Sequence, residues 1–229
     1  MSIKRRVLAV AATMTMVGGV SAVGLLPAAA SITPSTPSCD DCLTVFSQEF
    51  GTFGSPNFVL DVYKQGETVG THVILYRASA SDPAEDFTIS RQGTVNSFEA
   101  IGVVTDALAL HYGNLPAYEY EYSPYGVDSG LCMGVGSTAG DGTPVALENC
   151  GQSSKTRWVR DDYKDSRGFV PLSNGSDTNF STPYVLHYPD YGYPTDTPRP
   201  QLTTYTLQEY SNGGVVYDNE LWAQIDGGK

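Results

Sequence analysis

The sequence predicts an all-β chain of three repeats, and three observations lead there. A short block recurs three times: an apolar run, a turn, a second apolar run and a closing aromatic. The copies run from Phe58-Val59-Leu60-Asp61-Val62 through Val73-Ile74-Leu75-Tyr76 to Phe87, from Leu131-Cys132-Met133-Gly134-Val135 through Val145-Ala146-Leu147-Glu148 to Trp158, and from Tyr184-Val185-Leu186-His187-Tyr188 through Leu202-Thr203-Thr204-Tyr205 to Trp222. The runs are too short, and too rich in β-branched and aromatic residues, for helices. The 15 tyrosines and 24 glycines suit strands joined by turns. One such unit alone leaves an apolar face in water, whereas several together bury it.

Residues 1–30 read as a signal peptide. Lys4-Arg5-Arg6 is a basic start, Val7 to Leu26 is apolar and uncharged, and Ala28-Ala29-Ala30 offers small residues for cleavage. A secreted, extracellular protein is therefore expected, with no membrane anchor after cleavage. The formal net charge is −12, and three of the 13 basic residues fall in that leader. So acidic a surface repels phosphate backbones, which excludes nucleic acid as a partner.

Residues 31–54 follow as a Pro/Ser/Thr linker and a Cys39-Asp40-Asp41-Cys42 segment. Two carboxylates between the sulfurs oppose thiolate formation, and no second CxxC or nearby histidine completes a zinc set, so a structural disulfide is expected. Repeat one then occupies about 55–95, with Gly66 and Gly70 breaking the chain between its two strands. Residues 96–122 are expected to form an inserted hairpin: Ala107 to Tyr112 and Ala117 to Tyr122 flank Gly113-Asn114-Leu115-Pro116, and Glu119 and Glu121 alternate with three tyrosines. Repeat two spans about 123–160, and bridging Cys132 to Cys150 would close one hairpin-sized loop. A polar stretch to Thr182 leads into repeat three, about 168–225, which is loosened by two loops rich in Tyr, Gly, Pro and Asn.

Repeat two carries a resemblance. Gly130-Leu131-Cys132, then Gly142-Thr143-Pro144-Val145-Ala146-Leu147-Glu148-Asn149-Cys150, then Thr156-Arg157-Trp158 resembles the unit of ricin-B-type β-trefoil lectins. There a Cys opens the first strand, a Gly-x-Pro-Val-x-Leu-aromatic segment makes the second, and a Gln-x-Trp tripeptide ends the core. Thr156, Glu85 and Glu220 stand here where that family has Gln, and Phe87 replaces one tryptophan. The resemblance implies a β-trefoil of three pseudo-repeats, a closed barrel with a hairpin cap, as a single domain over 55–229. Val59/Cys132/Val185, Val62/Val135/Tyr188, Val73/Val145/Leu202 and Phe87/Trp158/Trp222 would supply its core layers.

The same resemblance implies sugar sites. In that family a carboxylate from the first strand accepts bonds from sugar hydroxyls, an aromatic on the second stacks on the C–H face of the ring, and polar groups at the tripeptide complete the set. Repeat one keeps Asp61 and Tyr76, with Glu85 for Gln. Repeat two has Gly134 and Glu148 and should be dead. Repeat three has His187, Tyr205 and Asn219, with a register open by one residue. Asp61 and Tyr76 read equally well as a turn residue and an ordinary strand tyrosine.

Three functions stay in view: a non-catalytic carbohydrate-binding protein with a glycan or polysaccharide as partner, a trefoil acting through protein contacts of the loops Tyr188–Tyr193 and Tyr205–Tyr217, and an enzyme sited in the insertion. No catalytic frame surrounds His72, His111 or His187, and Asp106, Glu119 and Glu121 are the sole candidates for the enzyme. Asp177-Thr178-Asn179 lacks a calcium-loop frame and reads as a solvated loop. No cofactor and no metal are expected.

Overall fold

The computed structural model describes residues 39, 41–52, 55–79, 81–151, 153–164, 167–189, 200–210 and 214–226. The leader expected at 1–30 and the linker that follows to residue 38 lie outside them. Twelve strands form one sheet: β1 (Leu43–Ser47), β2 (Phe58–Val62), β3 (Val73–Arg77), β4 (Phe87–Thr94), β5 (Pro116–Tyr122), β6 (Leu131–Val135), β7 (Thr143–Asn149), β8 (Trp158–Arg160), β9 (Leu172–Asn174), β10 (Tyr184–His187), β11 (Thr203–Thr206) and β12 (Trp222–Asp226). They divide into three sets of four.

Pairing closes the sheet. β1 joins β12 and β4, β4 joins β5, β5 joins β8 and β8 joins β9; a bridge between Val170 and Trp222 links the start of β9 back to β12. These six strands make a barrel, and closure leaves none of them with an unpaired edge. The hairpins β2–β3, β6–β7 and β10–β11 cap it, meeting at Thr203–Pro144, His72–Ala146 and Ile74–Gln201. A six-stranded barrel capped by three hairpins is a β-trefoil, as expected.

The barrel core repeats with the chain. Val62/Val135/Tyr188, Val73/Val145/Leu202 and Phe87/Trp158/Trp222 lie in one central cluster, and both indole N–H groups are satisfied, Trp158 by Met133 O at 2.9 Å and Trp222 by Leu186 O at 2.8 Å. The layer expected at Val59/Cys132/Val185 is buried but lies outside that cluster, and Leu60/Met133/Leu186 take its place. Successive strand residues face opposite ways. Because β2 is buried on both faces, an apolar residue at Val59 did not identify the barrel side.

The inserted hairpin is corrected. Residues 95–115 hold two short helices, α1 (Val95–Glu99) and α2 (Asp106–Tyr112), and Ala117 to Tyr122 belongs to β5, a barrel strand that opens repeat two. Thr94 and Thr105 cap the helices, accepting N–H bonds from Ser97 and Leu108 at 3.2 Å each. Ala107-Leu108-Ala109-Leu110 are strong helix formers, and the buried pair Leu108 and Tyr112 is spaced i, i+4 rather than alternating. Val95, Phe98, Val104, Leu108 and Leu115 pack on Ala117 of β5 and Val159 of β8, forming a second apolar cluster. β1 likewise lies in the segment expected to be linker.

Both disulfides form. Cys132 and Cys150 staple β6 to the end of β7 with Cα atoms 5.0 Å apart, and Cys39 and Cys42, at 5.2 Å, close the turn before β1. Among the described residues no helix is long and apolar enough to cross a membrane.

Candidate functional site

Strand register makes the three hairpins comparable. Asp61 faces Ile74 and Val59 faces Tyr76 in repeat one; Gly134 faces Ala146 and Cys132 faces Glu148 in repeat two; His187 faces Thr203 and Val185 faces Tyr205 in repeat three. The third repeat's register therefore closes on His187 and Tyr205 as equivalents of Asp61 and Tyr76.

In repeat one, Asp61 is 2% exposed and Glu85 3%, while Tyr76 is half-buried. The carboxylates of Asp61, Asp82 and Glu85 converge within 4.8 Å of one another. Asp82 caps the short turn Pro83–Glu85 through the Ala84 N–H at 3.0 Å and accepts the Gln65 amide at 3.2 Å. Glu85 Oε1 accepts the Ser79 N–H at 2.8 Å. Burial pushes the Glu85 carboxyl up to about 9; the Ser79 bond opposes this and the neighbouring Asp61, Asp82 and Asp86 add to it. The Tyr122 hydroxyl, buried and without a hydrogen-bond partner among the described residues, is raised by burial and then by Glu67, Asp61, Asp86 and Asp82.

Repeat two is filled by its own chain. A Cβ built on Gly134 would lie 2.9 Å from Thr156 Cγ2 and 3.0 Å from the Lys155 carbonyl, so no side chain fits where Asp61 stands in repeat one.

Repeat three is satisfied internally. Asn219 Nδ2 donates to His187 Nε2 at 3.1 Å and to the Tyr188 carbonyl at 2.9 Å, so Nε2 accepts and His187 Nδ1 carries the proton toward Thr203 Oγ1 at 3.3 Å. Burial lowers His187 to about 4, which keeps the ring neutral, and Tyr205 packs against it with centroids 5.0 Å apart. The residues expected to face a sugar here instead bind one another.

The enzyme candidates separate. Asp106 is an exposed residue in the first turn of α2. Glu119 is fully buried and ion-paired: Oε1 meets Arg157 Nη1, Thr156 Oγ1 at 2.7 Å and the Gly151 N–H at 3.0 Å, and Oε2 meets Arg91 Nε at 3.3 Å. Arg157, also fully buried, donates to the Gly151 carbonyl at 2.5 Å and lies 4.8 Å over the Phe98 ring, which ties α1 to the barrel. Glu121 accepts the Gly130 N–H at 2.8 Å, and burial raises its carboxyl. Both glutamates line a polar cavity of about 500 Å³ beside a β-bulge at Ser90. Glu119 is thus a structural group, held between two guanidinium groups.

Two loop readings also change. Asp177 is 1% exposed, with Oδ1 on the Asn179 N–H at 2.7 Å and Oδ2 on the Tyr184 N–H at 2.9 Å, so its buried carboxylate pins a loop whose next residue, Thr178, is exposed. Tyr188, expected on a contact loop, is buried against Phe50 in the core; residues 190–199 of that loop lie outside the described residues.

Sequence reasoning missed a mixed aromatic and polar cavity of about 510 Å³ between α2 and the loops around repeat three. Reading residues 96–122 as a hairpin hid it, since His111 and Tyr112 line it from a helix.

No protein-family model and no curated protein matches the chain. Solved structures do. The designed 3-fold symmetric protein ThreeFoil matches with a TM-score of 0.52 at 17% identity, over 82% of this chain and 99% of its own. The exo-beta-1,3-galactanase 1,3Gal43A from Clostridium thermocellum matches at 0.53 and 11% identity, over 82% of this chain but 31% of its own length. A ricin B-like lectin from Macrolepiota procera, in complex with lactose, covers 81% of this chain and 96% of its own at 17% identity and 0.47, too distant in shape to carry more. At these identities the likeness is one of architecture, and with the closed barrel, the three-hairpin cap and the repeated core it identifies the fold of the chain as a β-trefoil.

Proposed function

We propose that this protein is secreted and binds a carbohydrate, without catalysis, through repeat one. The N-terminal leader motif and two disulfides support export. The observation that carries the sugar reading is a cluster of acidic groups beside an aromatic strand residue: Asp61, Asp82 and Glu85 converge within 4.8 Å, and the half-buried Tyr76 lies on the strand paired with that of Asp61. With its carboxyl pushed up to about 9, Glu85 keeps a proton at neutral pH and offers an O–H donor, and the aspartates offer acceptors. A sugar edge needs both. The Gln65 amide, which now donates to Asp82, marks where a sugar hydroxyl enters, and the Tyr76 ring supplies the stacking face.

Titration of a glycan panel by calorimetry tests this. Asp61→Asn and Tyr76→Ala should each weaken binding tenfold or more, whereas Glu85→Gln, which keeps a donor and an acceptor, should retain it. Failure of every glycan to bind the unmodified protein at millimolar concentration overturns the reading.

A further inference from the structure

We propose that the cavity between α2 and the loops flanking repeat three is a second carbohydrate site, built by the insertion and separate from the three hairpin sites. Its ligand class rests on the carbohydrate reading above; its place and its residues do not.

The cavity holds about 510 Å³, within the ~300–1,000 Å³ common for small-molecule sites. One wall is aromatic and braced. The Phe180 ring lies 5.1 Å from His111 and 6.3 Å from Tyr112, at tilts of 36° and 74°, so each ring limits the others' movement. Tyr163, on the turn Asp162–Lys164, lines the same cavity and is 76% exposed, so its ring is accessible to a ligand.

The polar groups complement that wall. Asp161 is 5% exposed, and its Oδ1 accepts the Tyr163 N–H at 3.1 Å, yet its Oδ2 accepts no hydrogen bond from any described residue. A ligand hydroxyl entering the cavity would donate to that oxygen. At the rim the Lys164 ammonium is paired with Glu209, which places a donor and an acceptor side by side. An apolar ring wall edged by acceptors and a donor matches a pyranose, with its C–H face and hydroxyl rim. The two carboxylates disfavour an anionic ligand, and the ammonium disfavours a cationic one.

The test uses methyl glycosides of glucose, galactose, mannose and N-acetylglucosamine, with tetramethylammonium as a cation probe, titrated by NMR. The expected result is a neutral glycoside that shifts resonances around Phe180, weakened at least tenfold by Tyr163→Ala and by Asp161→Asn. That binding should persist in the Asp61→Asn/Tyr76→Ala variant. Tyr163 is exposed, so its removal should leave the thermal midpoint unchanged, and loss of binding then reads the site rather than the fold. Binding unchanged by Tyr163→Ala but lost in Asp61→Asn/Tyr76→Ala would sink this site and leave repeat one standing; the reverse pattern would do the opposite. Binding of tetramethylammonium alone, or of no glycoside, also overturns it.

Discussion

Repeats one and three anchor one backbone N–H with a glutamate from the end of the repeat, whereas repeat two anchors it with a glutamate from its first strand. The N–H lies two residues past the third strand each time: Ser79 bonds to Glu85, Gln208 to Glu220 at 2.7 Å, and Gly151 to Glu119. Thr156, which holds the tripeptide position of Glu85 and Glu220, is too short to take that role and donates into Glu119 instead. A partly buried N–H still favours an acceptor, and any side chain that reaches will serve. The difference lies in charge. Glu119 sits between Arg157 and Arg91, while Glu85 and Glu220 form no ion pair among the described residues, and burial pushes their carboxyls up to about 9 and about 8.

The largest effect that would break this contrast comes from Arg157. Arg157→Ala leaves Glu119 buried with only the half-exposed Arg91 as counter-charge, and about 3–5 kcal/mol of stability should be lost in urea denaturation. Adding Glu119→Gln should recover part of it. A loss below about 1 kcal/mol would show that the pair does not hold repeat two.

Next comes pH. An acid whose folded-state value is raised binds a proton in the native state that the unfolded chain has released, so stability falls as pH rises between the two values. For Glu85 and Glu220 that window runs from 4.5 to about 9 and about 8, at up to about 1.4 kcal/mol per pH unit for each group. His187, lowered to about 4, works against them only below 6.5. Thermal midpoints should therefore fall between pH 6.5 and 8, and Glu85→Gln/Glu220→Gln should flatten that fall while raising the midpoint at pH 8. A midpoint that rises across this interval contradicts the assignment of protonated glutamates. The smallest expected effect is from Thr156→Ala, which removes one bond to Glu119 and should cost about 1 kcal/mol, measured in the same urea series.

The parts of the fold that were legible had a local mark. The hairpins β2–β3, β6–β7 and β10–β11 carry matched apolar positions, and the Cys132–Cys150 staple announces itself by spacing. The first strand of each repeat had no mark common to all three: Leu43–Ser47, Pro116–Tyr122 and Leu172–Asn174 share no residue pattern, since each only has to fill a barrel position between different neighbours, and the Glu/Tyr alternation of the second was read as half of a hairpin. Without them one strand became linker and another half of a hairpin. The candidate site was legible as residue identities at Asp61, Tyr76 and Glu85, but not as an environment. Nothing in the spacing of His187 and Asn219 says that their nitrogens meet, and nothing local places Asp82 beside Asp61.

Sequence by itself determined that three equivalent units exist, that aromatic and aliphatic layers recur at fixed places, and that two disulfides close nearby residues. Those properties are written in side-chain type at short range. Tertiary structure decided the rest: which carboxylate serves Gly151, that the position of Asp61 in repeat one is filled by the chain in repeat two, and that the insertion is helical and walls a cavity. These turn on contacts such as Glu119 with Arg157, where burial sets the cost of an unmatched charge and only the folded chain brings the matching group within reach.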